Sequence, residues 1–592
     1  MADFMDLARL WAGHDTVYAH GVAVSRLTEG PRPDVEQDAD GAVIHLPAAG
    51  TATTTVLRLD VPLGDAVGYW HPAAGWDRHL TADWASPWRA VGLVDSAPLG
   101  CLHDSAGRAL LAFAADRVTA TTRIRFGVHE ESARFGVWLA MDLAPDEHCR
   151  IRVRAAGQPV ADALRALTAA LAPGDALPVP EAARTPAYST WYSLHRGVDA
   201  ARVEAEARHA AEAGCGVLLL DDGWQSRAQG PGYSGSGDWT PDPAKFPDFA
   251  AHVRTVQGLG LRYVAWIAPL LLGERTEAYR RLRDIAPHVV PRLSCRVLDP
   301  RRDEARRFVV DSCAELVGRY GLDGLKIDFL DFAMAYADEH GGPPGPDVGP
   351  ALHRLLTELR DRLRSLRGDD LLVELRQPYT GPGMLGFGNL LRAGDCPADT
   401  TANRVRTLDL RAVATRGSVH SDMLMWDPGA PARTAARQLH SALYATPQIS
   451  VRLAELTAEH RAMTAFWLGF WRDHRDVLTQ GELRAGRPDQ LYETVSARDG
   501  RRAVLTWYAE HRCAPLHLDG LTEAALVNST AAAHVLVDVG RSAVEVHRDT
   551  YDACGRAAGS AVQTLLPGPN PIPVPPSGLG VLRPVSSGEF PR

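Results

Sequence analysis

Charged side chains stand inside or at the ends of several short apolar runs of this chain. The stretch GLKIDF, residues 324–329, sets Lys326 and Asp328 two positions apart. If this run is a strand, both side chains lie on the same face, because side chains alternate along a strand. A buried ion pair adds little net stability, because desolvation offsets much of its attraction. The pair therefore indicates a catalytic role instead of a stabilising one, in which the cation keeps Asp328 ionised and ready to act as a nucleophile.

Other apolar runs end in similar groups. LLLDDGWQ places Asp221 and Asp222 side by side, where they repel unless a metal ion or a sugar with several hydroxyls lies between them. Several of the remaining apolar runs carry charged or ionisable residues at or near their ends, namely Glu374, Arg376, Arg392, Asp395, His420 and Asp422. A lone acid after a strand commonly caps a helix or closes a turn, so only the whole set indicates a site. The spacings match no recognised metal site, and we expect neither a metal nor another cofactor.

Aromatic residues beside these acids favour a sugar over a metal, because ring faces stack on the apolar face of a pyranose. The candidates are Trp191, Tyr192, Trp224 and Trp266. Core packing is the alternative explanation for each ring taken alone.

Eight short apolar runs, most of them separated by helical segments, predict a (β/α)8 TIM barrel over residues 186–475. They span residues 187–193, 216–224, 262–269, 324–329, 371–378, 389–395, 418–426 and 447–451. In such a barrel the catalytic groups come from the carboxyl ends of the strands, where the charged residues stand here. A doubly wound open sheet is the alternative, but no Gly-rich phosphate turn follows the first run. Alternating apolar and polar residues, interrupted by turn residues, predict β-rich flanking domains over residues 1–180 and 480–592.

Composition narrows the class of protein. With 592 residues, 45% hydrophobic and 23% charged, the chain is typical of a soluble globular protein of several domains. A net charge of -9 provides no basic stripe, so we expect no nucleic-acid partner. Asp3 and Asp6 disfavour a signal peptide, and no run of about 18 apolar residues predicts a membrane span. Eight scattered cysteines indicate reduced thiols in a cytoplasmic protein.

Four motifs in order, LLLDDGWQ, SGDWTPDPAKFPDF, YVAWIAP and DGLKIDF, resemble the signature of glycoside hydrolase family 36, the retaining α-galactosidases and their relatives. The resemblance covers residues 186–475 and extends more loosely to the flanks. It implies an N-terminal β-sandwich and a small C-terminal antiparallel β-domain. It also implies a retaining hydrolase that cleaves terminal α-linked galactose-type sugars from a small oligosaccharide or glycoside. Relatives are often oligomeric, which leaves a homo-oligomer open.

The resemblance also assigns roles to residues on the nucleophile side. Asp328 is the nucleophile, and Lys326 contacts sugar hydroxyls. The acids that hold the hydroxyls of an axial-O4 sugar correspond to Asp221 and Asp222. Trp191 and Trp266 help to wall the pocket.

The acid/base assignment is less direct. Asp395 in LLRAGDCPAD is the best match, and Asp399 is its rival. Many family members read SDNTD here, and others place an arginine four residues before the acid, whereas Arg392 lies three before Asp395. Glu374 and Arg392 are hypothetical ligands on the 2-hydroxyl side. Two further residues, His420 and Asp422, either line the pocket rim or the aglycone site, or support their neighbours.

Other functions stay open at this stage. A glycosyltransferase of the raffinose synthase-like branch would use the same intermediate. The sugar could be N-acetylgalactosamine or L-arabinopyranose, as in an α-N-acetylgalactosaminidase or a β-L-arabinopyranosidase. A non-catalytic carbohydrate-binding protein is the alternative from another class. Four tryptophans of the N-terminal region either reach the pocket or pack internally: Trp70, Trp76, Trp84 and Trp88.

Overall fold

The computed structural model describes residues 7–12, 15–337 and 347–585. Asp3 and Asp6 lie outside these ranges. In the part of the chain described, no helix is long and apolar enough to cross a membrane. All eight cysteines lie within the described ranges, and none of them forms a disulfide.

Two six-stranded antiparallel sheets form the N-terminal sandwich. Strands β1 to β12 are Thr16–Ala19, Val22–Arg26, Asp34–Gln37, Gly41–Leu46, Thr53–Pro62, Ala66–Trp70, Arg89–Val91, Leu99–Asp104, Ala109–Ala115, Thr122–His129, Arg134–Leu143 and Cys149–Arg154. The sheet orders are β1-β2-β5-β11-β10-β7 and β3-β4-β12-β9-β8-β6. Alternate side chains of strands such as β12 point inward, so the two sheets share one apolar core.

The central region is a closed barrel of eight parallel strands, in the order β13-β14-β15-β19-β20-β21-β22-β23. Strands β13 to β23 are Ala187–Ser189, Val217–Leu220, Arg262–Ile267, Leu271–Gly273, Val289–Val290, Cys295–Val297, Gly324–Ile327, Leu372–Arg376, Leu390–Arg392, Ser418–Leu424 and Thr446–Ile449. Strands β16 to β18 form a small separate sheet. The predicted barrel is confirmed, and each of the eight apolar runs overlaps one barrel strand.

Helices surround the barrel and fix its loops. Helices α1 to α11 are Leu7–Trp11, Val160–Leu171, Trp191–Leu194, Ala200–Glu212, Phe249–Gln257, Glu277–Leu282, Asp303–Tyr320, Val348–Arg367, Thr400–Val413, Ala432–Ser441 and Ala458–Gln480. Helix α7 ends at Gly321, whose left-handed backbone (φ 71°) suits glycine and turns the chain into β19. Helix α9 begins at the cap residue Asp399, whose side chain accepts from the backbone N–H of Ala402.

The C-terminal region adds a seven-stranded sheet, β24-β25-β26-β28-β33-β30-β31, and a three-stranded sheet, β27-β29-β32. Strands β24 to β33 are Glu482–Ala485, Thr494–Arg498, Arg502–Trp507, Cys513–Pro515, Glu523–Asn528, His534–Asp538, Val544–Tyr551, Ala557–Leu565, Pro569–Pro573 and Leu579–Pro584. Most pairs are antiparallel, as predicted. The pairs β26–β28 and β27–β29 are parallel.

A buried polar cluster joins all three regions, and we call it the three-domain junction. It centres on Asp409 of α9, which forms a buried ion pair with Arg78 of the N-terminal region. Trp70 Nε1 donates to Asp409 Oδ1 at 2.8 Å, and the hydroxyl of Tyr492 from the C-terminal region donates to the same oxygen at 2.7 Å. Trp70 therefore packs internally instead of reaching the pocket.

Candidate active site

Strand register brings candidate residues together at one end of the barrel. Trp266 of β15 pairs with Lys326 of β19, and Lys326 pairs with Glu374 of β20. Two residues further along β20, Arg376 pairs with Arg392 of β21. In-register neighbours in a parallel sheet project to the same side, so these side chains meet at the carboxyl ends of the strands.

Asp328 follows β19 directly and is held by four hydrogen bonds. Its Oδ1 accepts from the backbone N–H of Phe329 at 2.7 Å, from Arg376 Nε at 2.6 Å and from the Tyr379 hydroxyl at 2.9 Å. Its Oδ2 accepts from Trp266 Nε1 at 3.0 Å. The carboxylate is therefore largely buried and fixed in one orientation.

Charge keeps Asp328 ionised. Burial alone would raise the pKa of this carboxyl, but the cations Arg376 and Lys326 and the bond from Trp266 outweigh it and hold the pKa well below its ordinary value. The expected influence of Lys326 is present, and Arg376 contributes more. An ionised, oriented carboxylate at the mouth of the barrel is suited to nucleophilic attack.

Lys326 forms its direct ion pair with Asp221 at the end of β14 rather than with Asp328. The Lys326 Nζ to Asp221 Oδ2 distance is 2.6 Å, and Glu374 Oε1 lies 3.6 Å from the same nitrogen. Burial alone would lower the pKa of Lys326, but Asp221 and Glu374 raise it above its ordinary value. The ammonium therefore links three barrel strands.

Asp222 has a cation of its own, which explains how two adjacent carboxylates coexist. Arg196 Nε donates to Asp222 Oδ2 at 2.7 Å, and Gln225 Nε2 donates to Oδ1 at 2.6 Å. The guanidinium of Arg196 also lies over the ring of Tyr233. Each of the two adjacent acids thus has a cation of its own, Lys326 for Asp221 and Arg196 for Asp222.

The candidate tryptophans divide into two groups. Trp266 contacts Asp328, and Trp191 is half-buried with its ring stacked on His195, centroids 4.0 Å apart. Trp224 is fully buried, donates its Nε1 hydrogen to the backbone oxygen of Trp266 and stacks on Phe249. Trp224 is therefore placed in the core behind the site.

Asp395 lies on the loop after β21 and shares one arginine with Asp422. Arg392 Nη1 lies 2.9 Å from Asp395 Oδ1 and 2.5 Å from Asp422 Oδ1. The Asp395 side chain is 53% exposed, whereas that of Asp422 is fully buried. Burial alone would raise the pKa of Asp395, but Arg392 lowers it. Burial raises the pKa of Asp422 despite the same arginine.

Backbone contacts hold the Asp395 loop in place. Arg406 Nη1 of α9 donates to the carbonyl oxygens of Gly394 and Asp395, at 2.9 and 2.6 Å. Asp422 Oδ2 accepts from the N–H of Cys396 at 2.6 Å and from the Tyr192 hydroxyl at 3.0 Å. The loop is thus anchored while the Asp395 carboxylate projects beyond it.

The remaining candidates have protein partners. Glu374 is fully buried between Lys326 and Arg392 and accepts from Gln448 Nε2 at 2.5 Å. His420 is fully buried, and its Nε2 lies 2.8 Å from the carbonyl oxygen of Ala183. Burial lowers the pKa of His420, which favours the neutral ring. The rival acid Asp399 is exposed and caps α9.

A cavity of about 350 Å³ with a mixed polar and apolar lining lies beside Asp395, between barrel loops and the N-terminal region. Its lining includes Arg376 at the end of β20 and Gln377 and Thr380 from the loop that follows, together with Ser96 and Gly75. Next to Gly75, Trp76 is 52% exposed. Of the other two tryptophans in question, Trp84 is also exposed and Trp88 packs against an N-terminal apolar cluster.

The sequence alone assigns no role to several residues at the site. Arg376 stood at the end of an apolar run, two positions after Glu374, and strand alternation could have pointed to it. Tyr379 and Arg196 lie in loops, where no periodicity reveals which side chain turns inward. Among the described residues, no group of three or more His, Cys, Asp or Glu is arranged to hold a metal ion.

The family model and the similar proteins found by comparison all point to one family. Residues 183–337 match the family model described as Melibiase. The curated alpha-galactosidase 2 of Pediococcus pentosaceus is 28% identical over 214 residues, which cover 34% of this chain and 28% of that protein. Alpha-galactosidase AgaA of Geobacillus stearothermophilus is 27% identical over 146 residues, covering 24% and 20%. The matched segment therefore spans less than a third of these curated relatives.

Solved structures show the same fold over nearly the whole chain. A crystal structure of AgaA, a family 36 alpha-galactosidase from Geobacillus stearothermophilus, has a TM-score of 0.63 at 15% identity and covers 96% of this chain and 82% of that one. The alpha-galactosidase of Lactobacillus brevis has a TM-score of 0.64 at 13% identity, covering 97% and 81%. Together with the family model, these relatives confirm the resemblance to glycoside hydrolase family 36.

Proposed function

We propose that this protein is a retaining glycoside hydrolase that removes terminal α-linked galactose from small oligosaccharides or glycosides by double displacement. The observation that carries the proposal is Asp328, an ionised and oriented carboxylate at the mouth of the barrel. The named relatives are alpha-galactosidases, and AgaA structures contain stachyose and raffinose. An α-galactoside is therefore the substrate class with most support.

In the proposed reaction, Asp328 attacks the anomeric carbon while Asp395 gives a proton to the departing oxygen. Asp395 then removes a proton from the water that releases the sugar. In retaining enzymes the two carboxyl groups stand about 5 to 5.5 Å apart. We assign the acid/base role to Asp395 because it projects from an anchored loop, whereas Asp399 is committed to a helix cap.

The surrounding residues fit supporting roles. We propose that Lys326, Asp221 and Asp222 meet the sugar hydroxyls, with Trp266 and Trp191 as pocket walls. The cavity beside Asp395 would receive the aglycone. Glu374 and Arg392 would act as a buried pair beneath the sugar, and His420 and Asp422 would support them.

A panel of nitrophenyl glycosides tests this proposal. We expect hydrolysis of the α-galactoside to exceed that of the α-N-acetylgalactosaminide, β-L-arabinopyranoside and α-glucoside. Proton NMR should show the α-anomer of galactose as the first product, because two displacements retain configuration. Fastest turnover of another sugar would reassign the substrate. Binding of sugar without any turnover would favour a carbohydrate-binding protein.

The same assay separates hydrolysis from transfer. With sucrose added as acceptor, a hydrolase releases free galactose, whereas a transferase forms a longer oligosaccharide that chromatography detects. We further propose a cytoplasmic location, on the basis of the eight free thiols. Gel filtration would test whether the chain forms a homo-oligomer.

A further inference from the structure

The two oxygens of Asp328 have unequal surroundings. Oδ1 accepts three hydrogen bonds, from Phe329 N–H, Arg376 Nε and the Tyr379 hydroxyl, at 2.6 to 2.9 Å. Oδ2 accepts one, from Trp266 Nε1 at 3.0 Å. A carboxylate oxygen offers about two lone-pair positions. Three donors therefore occupy Oδ1 fully, whereas Oδ2, with one donor, keeps a lone pair that can form a bond.

We propose that Arg376 and Tyr379 are positioning residues that hold Oδ1 and leave Oδ2 of Asp328 as the atom that attacks the sugar. We call these two residues the Oδ1 clamp. This inference rests on the proposed function, because it requires Asp328 to be the nucleophile. Both donors come from β20 and the loop after it, so one segment of chain sets the orientation of a carboxylate that another strand carries.

The clamp has a defined place in each chemical step. In the first, a lone pair of Oδ2 forms the bond to the anomeric carbon. The bond from that carbon to the leaving oxygen breaks, and its electron pair stays on that oxygen, which takes the proton of Asp395. Oδ1 becomes the carbonyl oxygen of the glycosyl ester and still accepts from Arg376 and Tyr379.

In the second step water attacks the anomeric carbon, and the carboxylate of Asp328 departs with the electron pair of the ester bond. Asp395 takes the proton of the water. A carboxylate with a lower pKa leaves more readily, so donors on Oδ1 favour this step. Tyr379 stays a donor throughout, because burial and the nearby Asp328 raise its pKa well above its ordinary value.

Removal of the clamp should shift the pH dependence in one direction. The charged groups that influence Asp328 are Arg376, Lys326 and Arg392 on the positive side, and Asp221, Asp331 and Asp395 on the negative side. Loss of the Arg376 charge raises the pKa of Asp328. Since the nucleophile must be ionised, activity is lost as pH falls through that pKa, and the acidic limb of kcat/KM moves to higher pH.

The kinetic test uses Tyr379→Phe, Arg376→Met and Arg376→Lys, with Tyr508→Phe as matched control. The buried hydroxyl of Tyr379 has the carbonyl oxygen of Ile327 as a second, longer acceptor at 3.3 Å. Tyr508 donates its hydroxyl to a backbone carbonyl oxygen, that of His440, and it contacts none of the proposed catalytic groups. With dinitrophenyl α-galactoside, we expect kcat of Tyr379→Phe to fall about tenfold, the size of one hydrogen bond to a charged group. The value of kcat/KM should fall less. A pre-steady-state burst of dinitrophenol should appear, because hydrolysis of the glycosyl ester on Asp328 becomes the rate-limiting step.

We expect Arg376→Met to lose more than Tyr379→Phe and to shift the acidic limb upward, with Arg376→Lys recovering part of that shift. Tyr508→Phe should keep the wild-type pH profile. If the folded Arg376→Met variant, checked by thermal melting, keeps the wild-type acidic limb and kcat, the clamp is overturned. A wild-type protein inactive on every glycoside overturns the proposed function, and the clamp with it.

A crystal structure tests the atom assignment directly. The wild-type enzyme is trapped with 5-fluoro-α-D-galactosyl fluoride, which leaves the sugar bound to the nucleophile. We expect the sugar on Oδ2 of Asp328, with Oδ1 still within hydrogen-bond distance of Arg376 and Tyr379. A bond from the sugar to Oδ1 overturns the proposal even if Asp328 is confirmed as the nucleophile.

Discussion

The two sides of the barrel mouth hold their carboxylates in opposite ways. On the β19–β20 side, Asp328 is largely buried and has four donors. On the β21–β22 side, Asp395 is half exposed and its carboxylate meets one cation, which it shares with Asp422. Asp328, the proposed nucleophile, is therefore fixed by contacts to its carboxylate, whereas Asp395, the proposed acid, is fixed mainly through the backbone of its loop.

This contrast matches what each step requires. A nucleophile gains from a single orientation and a low pKa. A general acid must carry a proton when the leaving group departs, so a cation beside it works against its task. If Asp395 is the acid, its pKa must rise when the sugar binds, either because the sugar excludes water from this carboxyl or because Arg392 turns toward Asp422 or Glu374.

The largest effect should come from the nucleophile side. We expect Asp328→Ala to lower kcat/KM for nitrophenyl α-galactoside on the order of 10⁴-fold or more, because the group that forms the covalent intermediate is gone. Added azide should restore turnover as β-galactosyl azide, since a small anion fits the space that the carboxylate vacates. Near-wild-type hydrolysis by this variant would show that Asp328 is not the nucleophile. The difference between the two sides of the barrel mouth would then have no catalytic meaning.

The acid side should respond according to the leaving group. We expect Asp395→Ala to lose about 10² to 10⁴-fold on melibiose, whose leaving group needs a proton, and far less on dinitrophenyl α-galactoside. Asp399→Ala is the matched comparison: it removes a helix cap and should cost about 1 kcal/mol of stability with unchanged leaving-group dependence. The reverse pattern would transfer the acid/base role to Asp399.

The smallest effect concerns the shared arginine. In Asp422→Asn, a negative charge beside Arg392 and Asp395 is lost, so Arg392 turns to Asp395 and lowers its pKa further. Because the acid must be protonated, activity is lost as pH rises through that pKa, and the alkaline limb should move to lower pH. We expect a shift of about one pH unit or less. An unmoved alkaline limb in the folded variant would show that Asp422 does not tune the acid.

The sequence predicted the barrel because alternation of apolar runs and amphipathic helices directly reflects strand and helix packing. It also placed Lys326 and Asp328 on one side, since period-two alternation determines that side. It did not predict that Lys326 pairs with Asp221, because Asp221 follows β14, which is separated from β19 by β15 in the barrel and by 105 residues along the chain. Trp224 and Trp266 look alike in sequence and both are fully buried, yet the indole of Trp266 donates to Asp328 and that of Trp224 donates to a backbone oxygen. Tyr379 could not be found, because loop conformation has no period.

The three-domain junction bears on how this chain can be divided. Truncation near residues 180 and 480 would remove Arg78, Trp70 and Tyr492 together, and Asp409 would face water without these donors. Asp409 lies on the same helix as Arg406, which anchors the Asp395 loop. A minimal barrel cut from this chain would therefore carry a loosened Asp395 loop, so any graft of the proposed active site should transfer all three regions as a single inherited unit.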